Sequence, residues 1–210
     1  MKKRVLSLLL VLVLIVGMLP TVALAGENDS GFSVTVTLEG LTLGQGFYVE
    51  PTTYTLDQIN TLVKDEAESD LTAETLTADY AILAMLKDKN LQYENSGSFG
   101  SDFYLASVKG IDKGTLNVPQ IILEKSKKTL SEFQGVGNAD EYLGQLDYSD
   151  MSGWMITVDN ALISKGSSQW NLKNGDVIRV QFSLYGYGAD LGQNTGWDGA
   201  LEAYFTAADK

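Results

Sequence analysis

Cysteine and histidine are both absent from this chain of 210 residues. Without cysteine the protein forms no disulfide and carries no lipid on an N-terminal cysteine, so its folded state depends on packing. The absence of both residue types excludes the Ser-His-Asp and Cys-His catalytic systems and the zinc sites built from them. The chemistry that remains is that of paired carboxylates and of calcium, which oxygen ligands hold.

Basic residues are scarce. The chain has 15 Lys and Arg residues against 27 Asp and Glu residues, which gives a formal charge of −12. Such a charge repels phosphate backbones and anionic membrane surfaces, so no nucleic-acid partner is expected. A phosphate-binding loop is not expected either, since Gly186-Tyr187-Gly188 has no downstream lysine and no helix start.

The first 25 residues show the pattern of a secretory signal peptide. Basic residues at 2–4 precede an apolar run at 5–18, and Ala23-Leu24-Ala25 forms a small-residue cleavage site. The run of roughly 14 residues is shorter than the ~20 that span a bilayer. Removing residues 1–25 leaves residues 26–210 with 12 basic and 27 acidic residues, a formal charge of −15. We therefore expect a secreted or cell-surface protein of bacterial type, with no lipid or covalent wall anchor and no membrane span.

Three segments alternate between apolar and polar residues, which is the pattern of a strand with one buried face. They lie at 32–39, 153–158 and 177–184. Less regular patterns predict further strands at 47–50, ended by a proline, and at 102–109. The residues expected to point inward are Phe32, Val34, Val36, Leu38, Trp154, Ile156, Val158, Ile178, Val180, Phe182 and Leu184.

Helical spacing replaces the alternation between these strands. After Thr55, apolar residues recur three and four positions apart, and Thr55 with Gln58 forms a capping box that marks the start of a helix. A second helix is predicted over 78–89, with Thr77 as its cap, and a short one over 117–125 has a proline in its cap region.

This order of elements predicts the α+β class. Helices are inserted once between strands rather than after each strand, which favours a mixed sheet. We predict a β-grasp-like mixed sheet of four to five strands, packed on one main helix, with extra short helices. Residues 26–210 show no repeat and no linker, so they are expected to form a single domain.

The most distinctive pattern lies at 153–184. It consists of Gly153-Trp154, Val158-Asp159-Asn160, Leu172 before Asn174-Gly175-Asp176, and Ile178. These residues resemble a family of bacterial exported domains of unknown function related to the C-terminal β-domain of transcobalamin and intrinsic factor. The resemblance implies a β-grasp domain of the soluble-ligand-binding type and suggests cobalamin as a ligand. This chain, however, lacks the helical barrel of those carriers and has no histidine for cobalt.

The same residues also have a structural explanation. Gly175 permits the positive φ of a tight turn, and Asp176 can accept backbone hydrogen bonds there. Trp154 is in phase with the inward residues of its strand, which favours a core position over a binding platform.

Aromatic residues in glycine-rich segments are the candidates for a ligand-binding site. Trp170, Tyr185, Tyr187 and Trp197 lie off the inward strand positions, with Asp190 among them. Exposed rings of this kind stack on sugar faces, flat ligands or partner side chains. The alternative is that these rings cover a sheet edge or the far end of the core.

Acidic residues gather in and after a predicted surface loop at 134–148. Asp140, Glu141, Asp147 and Asp150 lack the alternating spacing of a calcium loop, which favours a solvated loop and no metal site. Nothing singles out a glycosidase pair among the 27 acidic residues.

Together these patterns predict an exported, non-enzymatic module that binds a small ligand, a glycan or a protein partner, with no cofactor of its own. A cobalamin- or corrinoid-binding protein is the second hypothesis, and it rests on the resemblance alone. A purely structural or adhesive surface domain is the third, and a glycosidase is the last.

Overall fold

The structure is a computed structural model that describes residues 31–111, 115–134 and 141–193. The predicted signal peptide and Trp197 therefore lie outside the described residues. The strands are β1 (Ser33–Glu39), β2 (Phe47–Thr55), β3 (Gln92–Ser96), β4 (Tyr104–Lys109), β5 (Tyr142–Gly144), β6 (Gly153–Val158), β7 (Ala161–Leu162) and β8 (Val177–Ser183). The helices are α1 (Leu56–Val63), α2 (Ala78–Asp88), α3 (Gln120–Ser126) and α4 (Leu130–Gln134).

Five of these strands form one mixed sheet in the order β2-β1-β8-β6-β7. Within it β1 and β8 run parallel, and the other neighbouring strands run antiparallel. A second, antiparallel sheet has the order β3-β4-β5. The predicted α+β fold with a mixed sheet and one main helix is confirmed.

One face of the larger sheet packs against α2, which contacts both β1 and β8. Every residue of α2 from Ala78 to Leu86 is buried, so this helix is held by packing on nearly all sides. The predicted inward residues are buried too, except Ile156, which packs half-buried against the same core. Each large apolar side chain buried in this way contributes roughly 1.5–3 kcal/mol relative to exposure.

The opposite face of the sheet is polar, yet much of it is also buried. Glu39 is fully buried, and Arg179 donates to its carboxylate from Nε at 2.8 Å and from Nη2 at 2.7 Å. Thr37 and Gln181 donate to the same carboxylate. The prediction that these strands bury one face only is wrong, because a charge pair formed across 140 residues makes the polar face suitable for burial.

β2 continues to Thr55 and does not end at Pro51 as predicted. Thr52 lies opposite Val36 while Val49 lies opposite Leu38, so β2 has one extra residue at this point. β2 is an edge strand, and an edge strand with a bulge can include a proline because one side of its backbone needs no partner.

The predicted surface loop at 134–148 contains a strand that the sequence did not reveal. Tyr142 and Gly144 of β5 pair with Lys109 and Ser107 of β4. At Gly144 an added Cβ would lie 2.8 Å from the Cβ of Ser107, so the close approach of these strands requires glycine. Residues 135–140 of this stretch, including Asp140, lie outside the described residues.

The predicted starts of α1 and α2 are both confirmed. At α1, Thr55 and Gln58 form the predicted capping box. At α2, Thr77 is the N-cap residue, but its side chain donates to Asp79 rather than accepting from the helix. Asp79 is fully buried and also accepts from the backbone of Gly100 at 2.7 Å and from Ser168 at 2.8 Å. The carboxylate therefore joins the start of α2 to two distant loops.

The turn before β8 has the predicted conformation. Gly175 has a φ of +90°, and Asp176 accepts a hydrogen bond from the backbone N–H of Lys173 at 2.8 Å. Asn174 accepts from the backbone of Ser33, which attaches the turn to the start of β1. None of the helices in the described part of the chain combines the length and the apolar character that crossing a membrane requires.

Candidate functional site

A groove of about 790 Å³ runs beside β2. The turn before β2 and the first half of that strand form one wall, and the chain after α2 and the residues after β4 form the other. Its volume lies within the range of about 300–1,000 Å³ that small-molecule sites occupy. The residues that determine its chemistry are Gln45, Phe47, Tyr48, Glu50, Lys89 and Leu91.

Two aromatic rings line the wall formed by β2. Phe47 is 42 % exposed, so its ring has free surface where it lines the groove. Tyr48 packs edge to face against Trp154, with ring centroids 6.4 Å apart, and Trp154 packs likewise against Phe182 at 5.2 Å. This wall of the groove is therefore continuous with the core of the sheet.

Gln45 brings an unpaired hydrogen-bond donor to the groove. The hydroxyl of Tyr48 donates to its Oε1, whereas its Nε2 is buried and has no partner among the described residues. A buried donor without an acceptor costs about 1–3 kcal/mol. Because Nε2 has almost no exposed surface, an acceptor atom of a ligand would reach it and remove that cost only if the amide turned toward the groove.

Two glycines fix the turn that presents Gln45 and Tyr48. Gly44 has a φ of +74°, and a Cβ at this position would collide with the carbonyl oxygen of Asn117. At Gly40 a Cβ would lie 2.5 Å from the hydroxyl oxygen of Tyr48, so the tyrosine ring lies directly over a backbone without a side chain. The turn is thus closely packed at both glycines, and a side chain at either position would displace its neighbours.

Opposite charges lie on the two sides of the groove. The carboxylate of Glu50 forms no hydrogen bond or salt bridge with any described residue. Lys89, on the other side, contacts Asp88 at 2.8 Å. Hydrogen bonds from Lys89 and from the hydroxyl of Tyr54 hold the pKa of Asp88 below its ordinary value. The charge of Lys89 is therefore balanced by Asp88, whereas no described residue balances the charge of Glu50.

Asp190, a predicted site residue, is buried in the segment after β8. Its carboxylate accepts hydrogen bonds from the Ser183 hydroxyl at 2.7 Å and from the backbone N–H groups of Leu184 at 2.7 Å and Tyr185 at 2.9 Å. Burial raises its pKa from 3.8 to about 7, although these donors act in the opposite direction. Asp190 stabilises the backbone of the residues that follow β8. Its role in ligand binding stays a prediction.

Tyr185 and Tyr187 lie in the segment that Asp190 stabilises. Tyr187 is 40 % exposed and has a φ of +52°, between two glycines that also have positive φ. Tyr185 is half-buried against the core, and the ammonium of Lys128 lies 6.0 Å from its ring centroid. The structure brings Tyr185, Tyr187 and Asp190 together in this segment, and their contact with a ligand stays a prediction.

Trp170 belongs to another part of the fold. Its carbonyl accepts a hydrogen bond from the backbone of Ala78 at 3.0 Å, at the start of α2, and its ring is half-buried against the core. It follows the loop in which Ser168 donates to Asp79. Trp170 thus contacts the start of α2, whereas Asp190 contacts the end of β8.

The acidic residues of the predicted loop have separate partners. Glu141 pairs with Lys109, Asp147 accepts from the backbone of Gly144 at 2.8 Å, and Asp150 lies 3.6 Å from Lys128. Among the described residues no three carboxylates come close enough together to hold a metal ion.

The residues of the 153–184 pattern occupy core and turn positions. Trp154 is buried, and its indole N–H donates to the carbonyl of Leu143 at 3.0 Å. Asp159 accepts from the backbone of Val177 at 3.0 Å, and Asn160 accepts from Arg179 at 2.7 Å. These contacts account for the pattern through folding, without a ligand.

The fold is α+β with a β-grasp-like sheet order, and a lateral groove of small-molecule size lies beside its β2 edge. Residues 131–184 match the family described as a domain of unknown function, DUF4430. The match runs from α4 through β5, β6 and β7 to the end of β8. The comparison with curated proteins gave no match.

Sequence reasoning missed the groove because its residues come from distant segments. One local signal was available. Phe47 begins β2, directly after two glycines within three residues, and in the structure it lies opposite Glu39 where the register of the strand pair shifts. A large ring at an irregular strand start has no inward position to occupy.

Proposed function

We propose that the protein is an exported, non-catalytic binding module and that its ligand occupies the groove beside β2. The observation that carries the proposal is the combination of an exposed ring, Phe47, with an unpaired buried donor, Gln45 Nε2, in a groove of small-molecule size. A concave site with apolar walls and a few convergent polar groups is the usual form of a ligand site.

A binding role fits the groove better than catalysis. Of the described residues that line it, Glu50 is the only carboxylate, whereas glycoside hydrolysis needs two that flank the bond. The sequence has neither histidine nor cysteine to serve as a base or nucleophile. Export is supported by the signal-peptide pattern of residues 1–25.

The experiment is a thermal-shift screen of the mature chain against small molecules and oligosaccharides, repeated on Phe47→Ala and Leu41→Ala. Leu41 is the matched control, since it is also 42 % exposed and does not line the groove. A ligand at about 100 times its Kd adds roughly 2.7 kcal/mol of stability. We expect ligands that raise the Tm of the wild type and of Leu41→Ala but that shift Phe47→Ala much less. Ligands that stabilise all three proteins equally would place the site elsewhere.

The segment with Tyr185, Tyr187 and Asp190 is the second candidate site, supported by the exposed ring of Tyr187. Replacing Tyr187 with Ala would then weaken binding with little change in Tm. Cobalamin binding is the finer alternative, and it is supported by the likeness of residues 153–184 to the transcobalamin-type β-domain and by the β-grasp-like sheet order. Titration with cyanocobalamin tests it directly, and an absence of saturable tryptophan quenching would remove it.

A further inference from the structure

Two polar groups of the groove have no partner among the described residues, a buried amide donor and an exposed carboxylate. Gln45 Nε2 is buried without a hydrogen-bond partner, and the carboxylate of Glu50 is free of hydrogen bonds and salt bridges, in both cases with respect to the described residues. A ligand that satisfies both must offer an acceptor to the amide and a donor to the carboxylate. Hydroxyl groups supply both functions from one atom.

The groove also has an apolar surface of limited size. Phe47 is 42 % exposed, and Leu91 lines the opposite wall, half-buried. The face of an aromatic ring is negative, so it attracts C–H groups, which carry partial positive charge. The ligand therefore needs a C–H face as well as hydroxyl groups.

Charge limits the class further. An anion would meet Glu50 and a chain with a formal charge of −12, which disfavours it over distances comparable to the Debye length. Lys89 is paired with Asp88 at 2.8 Å, so its charge is balanced. The groove therefore has one unbalanced negative charge, that of Glu50, and hydroxyl groups of a ligand can donate to it. Charge alone leaves a cation open, so the choice between a cation and a neutral ligand depends on the apolar surface of Phe47 and Leu91 and on the groove's need for an acceptor as well as a donor.

We infer that the groove binds a neutral carbohydrate, with a sugar ring on Phe47 and hydroxyl groups on Gln45 and Glu50. The inference rests on the proposed function and assigns the ligand class of that site. An extended peptide added to β2 is disfavoured, because Pro51 and the extra residue beside it interrupt the ladder that such a strand would need.

The test is calorimetric titration of the mature protein with four probes. Cellotetraose and maltotetraose are the neutral arm, tetralysine is the cationic arm and tetragalacturonate is the anionic arm. Each probe that binds is measured against Phe47→Ala, Glu50→Gln and the control Leu41→Ala, at 50 mM and at 500 mM NaCl.

We expect a neutral tetrasaccharide to bind, with an affinity that changes less than about twofold between the two salt concentrations, since no charge pair forms. Phe47→Ala should weaken binding by roughly tenfold or more, as the loss of a central aromatic contact does. Glu50→Gln keeps an acceptor and should weaken binding by only about fivefold, and Leu41→Ala should leave the affinity unchanged.

The two failures are distinguishable. Binding of tetralysine or tetragalacturonate alone, lost in Phe47→Ala, would overturn the carbohydrate assignment and keep the groove as the ligand site. Binding of any probe that is equally strong in Phe47→Ala and in wild type would overturn the groove itself. If no probe binds, the carbohydrate assignment is wrong, and the thermal-shift screen decides the proposed function.

Discussion

Replacing Asp190 with Asn should change the pH dependence of stability. Because burial gives Asp190 a pKa of about 7 in the folded protein, against 3.8 ordinarily, the folded state holds its proton more tightly than the unfolded state does. The stability that this adds is full below about pH 3.8 and is lost as the pH rises through about 7. One pKa unit corresponds to about 1.4 kcal/mol, so the whole effect is on the order of 4 kcal/mol.

The substitution suits the site. An Asn oxygen can accept from the backbone of Leu184 and Tyr185, as Oδ2 of Asp190 does, and its NH₂ group then faces the Ser183 hydroxyl. The variant keeps most of the hydrogen bonds and removes the charge. The free energy of unfolding of the variant should therefore increase relative to that of the wild type as the pH rises.

The assay is urea unfolding of wild type and Asp190→Asn, followed by tryptophan fluorescence. The sequence pI is about 4.3, so the series runs from pH 5 to pH 8, where the protein is charged and soluble. About two pKa units of the effect fall in this window, so the difference in free energy of unfolding should change by roughly 3 kcal/mol in favour of the variant. Asp150→Asn, at a carboxylate that is 81 % exposed, reports what loss of a surface charge does by itself.

A difference that is constant with pH, or one that favours the wild type as the pH rises, would refute the reasoning. A constant difference would mean that the three hydrogen bonds to the carboxylate balance or outweigh the desolvation caused by burial. Asp190 would then be an ionised cap of the segment that follows β8.

Two further predictions concern the groove wall and the start of the mature chain. Gly44→Ala should lower the free energy of unfolding by roughly 2–4 kcal/mol, because the new Cβ adds strain at positive φ and collides with Asn117. Gly46→Ala is the control: its φ is +76° but the space around it is open, so it should lower the free energy of unfolding by only about 1–2 kcal/mol. Equal losses in urea unfolding would show that the contact with Asn117 is not tight. Mass spectrometry of the protein recovered from the medium of an expressing bacterium should give an N-terminus at Gly26, and a chain that stays cell-bound with Met1 would contradict the export proposal.

The elements that the sequence predicted are those set by local physics. Alternation located three strands of the larger sheet, and the Thr55–Gln58 capping box located the start of α1. Each of these signals lies within a few residues of the structure that it specifies. The turn at Gly175 is of the same kind, since only the local backbone has to adopt a positive φ.

The features that the sequence did not predict depend on contacts between distant segments. Glu39 is buried because Arg179, 140 residues away, neutralises it. β5 exists because β4 offers it an edge, and its own three residues carry no strand pattern. The groove needs β2, the chain after α2 and the residues after β4 at once. Periodicity describes one segment at a time, so it cannot locate a site of this composition.

The edges of the larger sheet also bear on which ligands the protein can take. One edge is β7, which has two residues, and the other is β2, which contains Pro51 and an extra residue opposite β1. Short edges, bulges and proline all hinder the addition of a further strand. Within the described sheet, recognition at the β2 edge therefore has to come from side chains rather than from a backbone ladder. The groove concentrates such side chains beside that edge, with Phe47 exposed and Gln45 unpaired, which is why the binding site is proposed there.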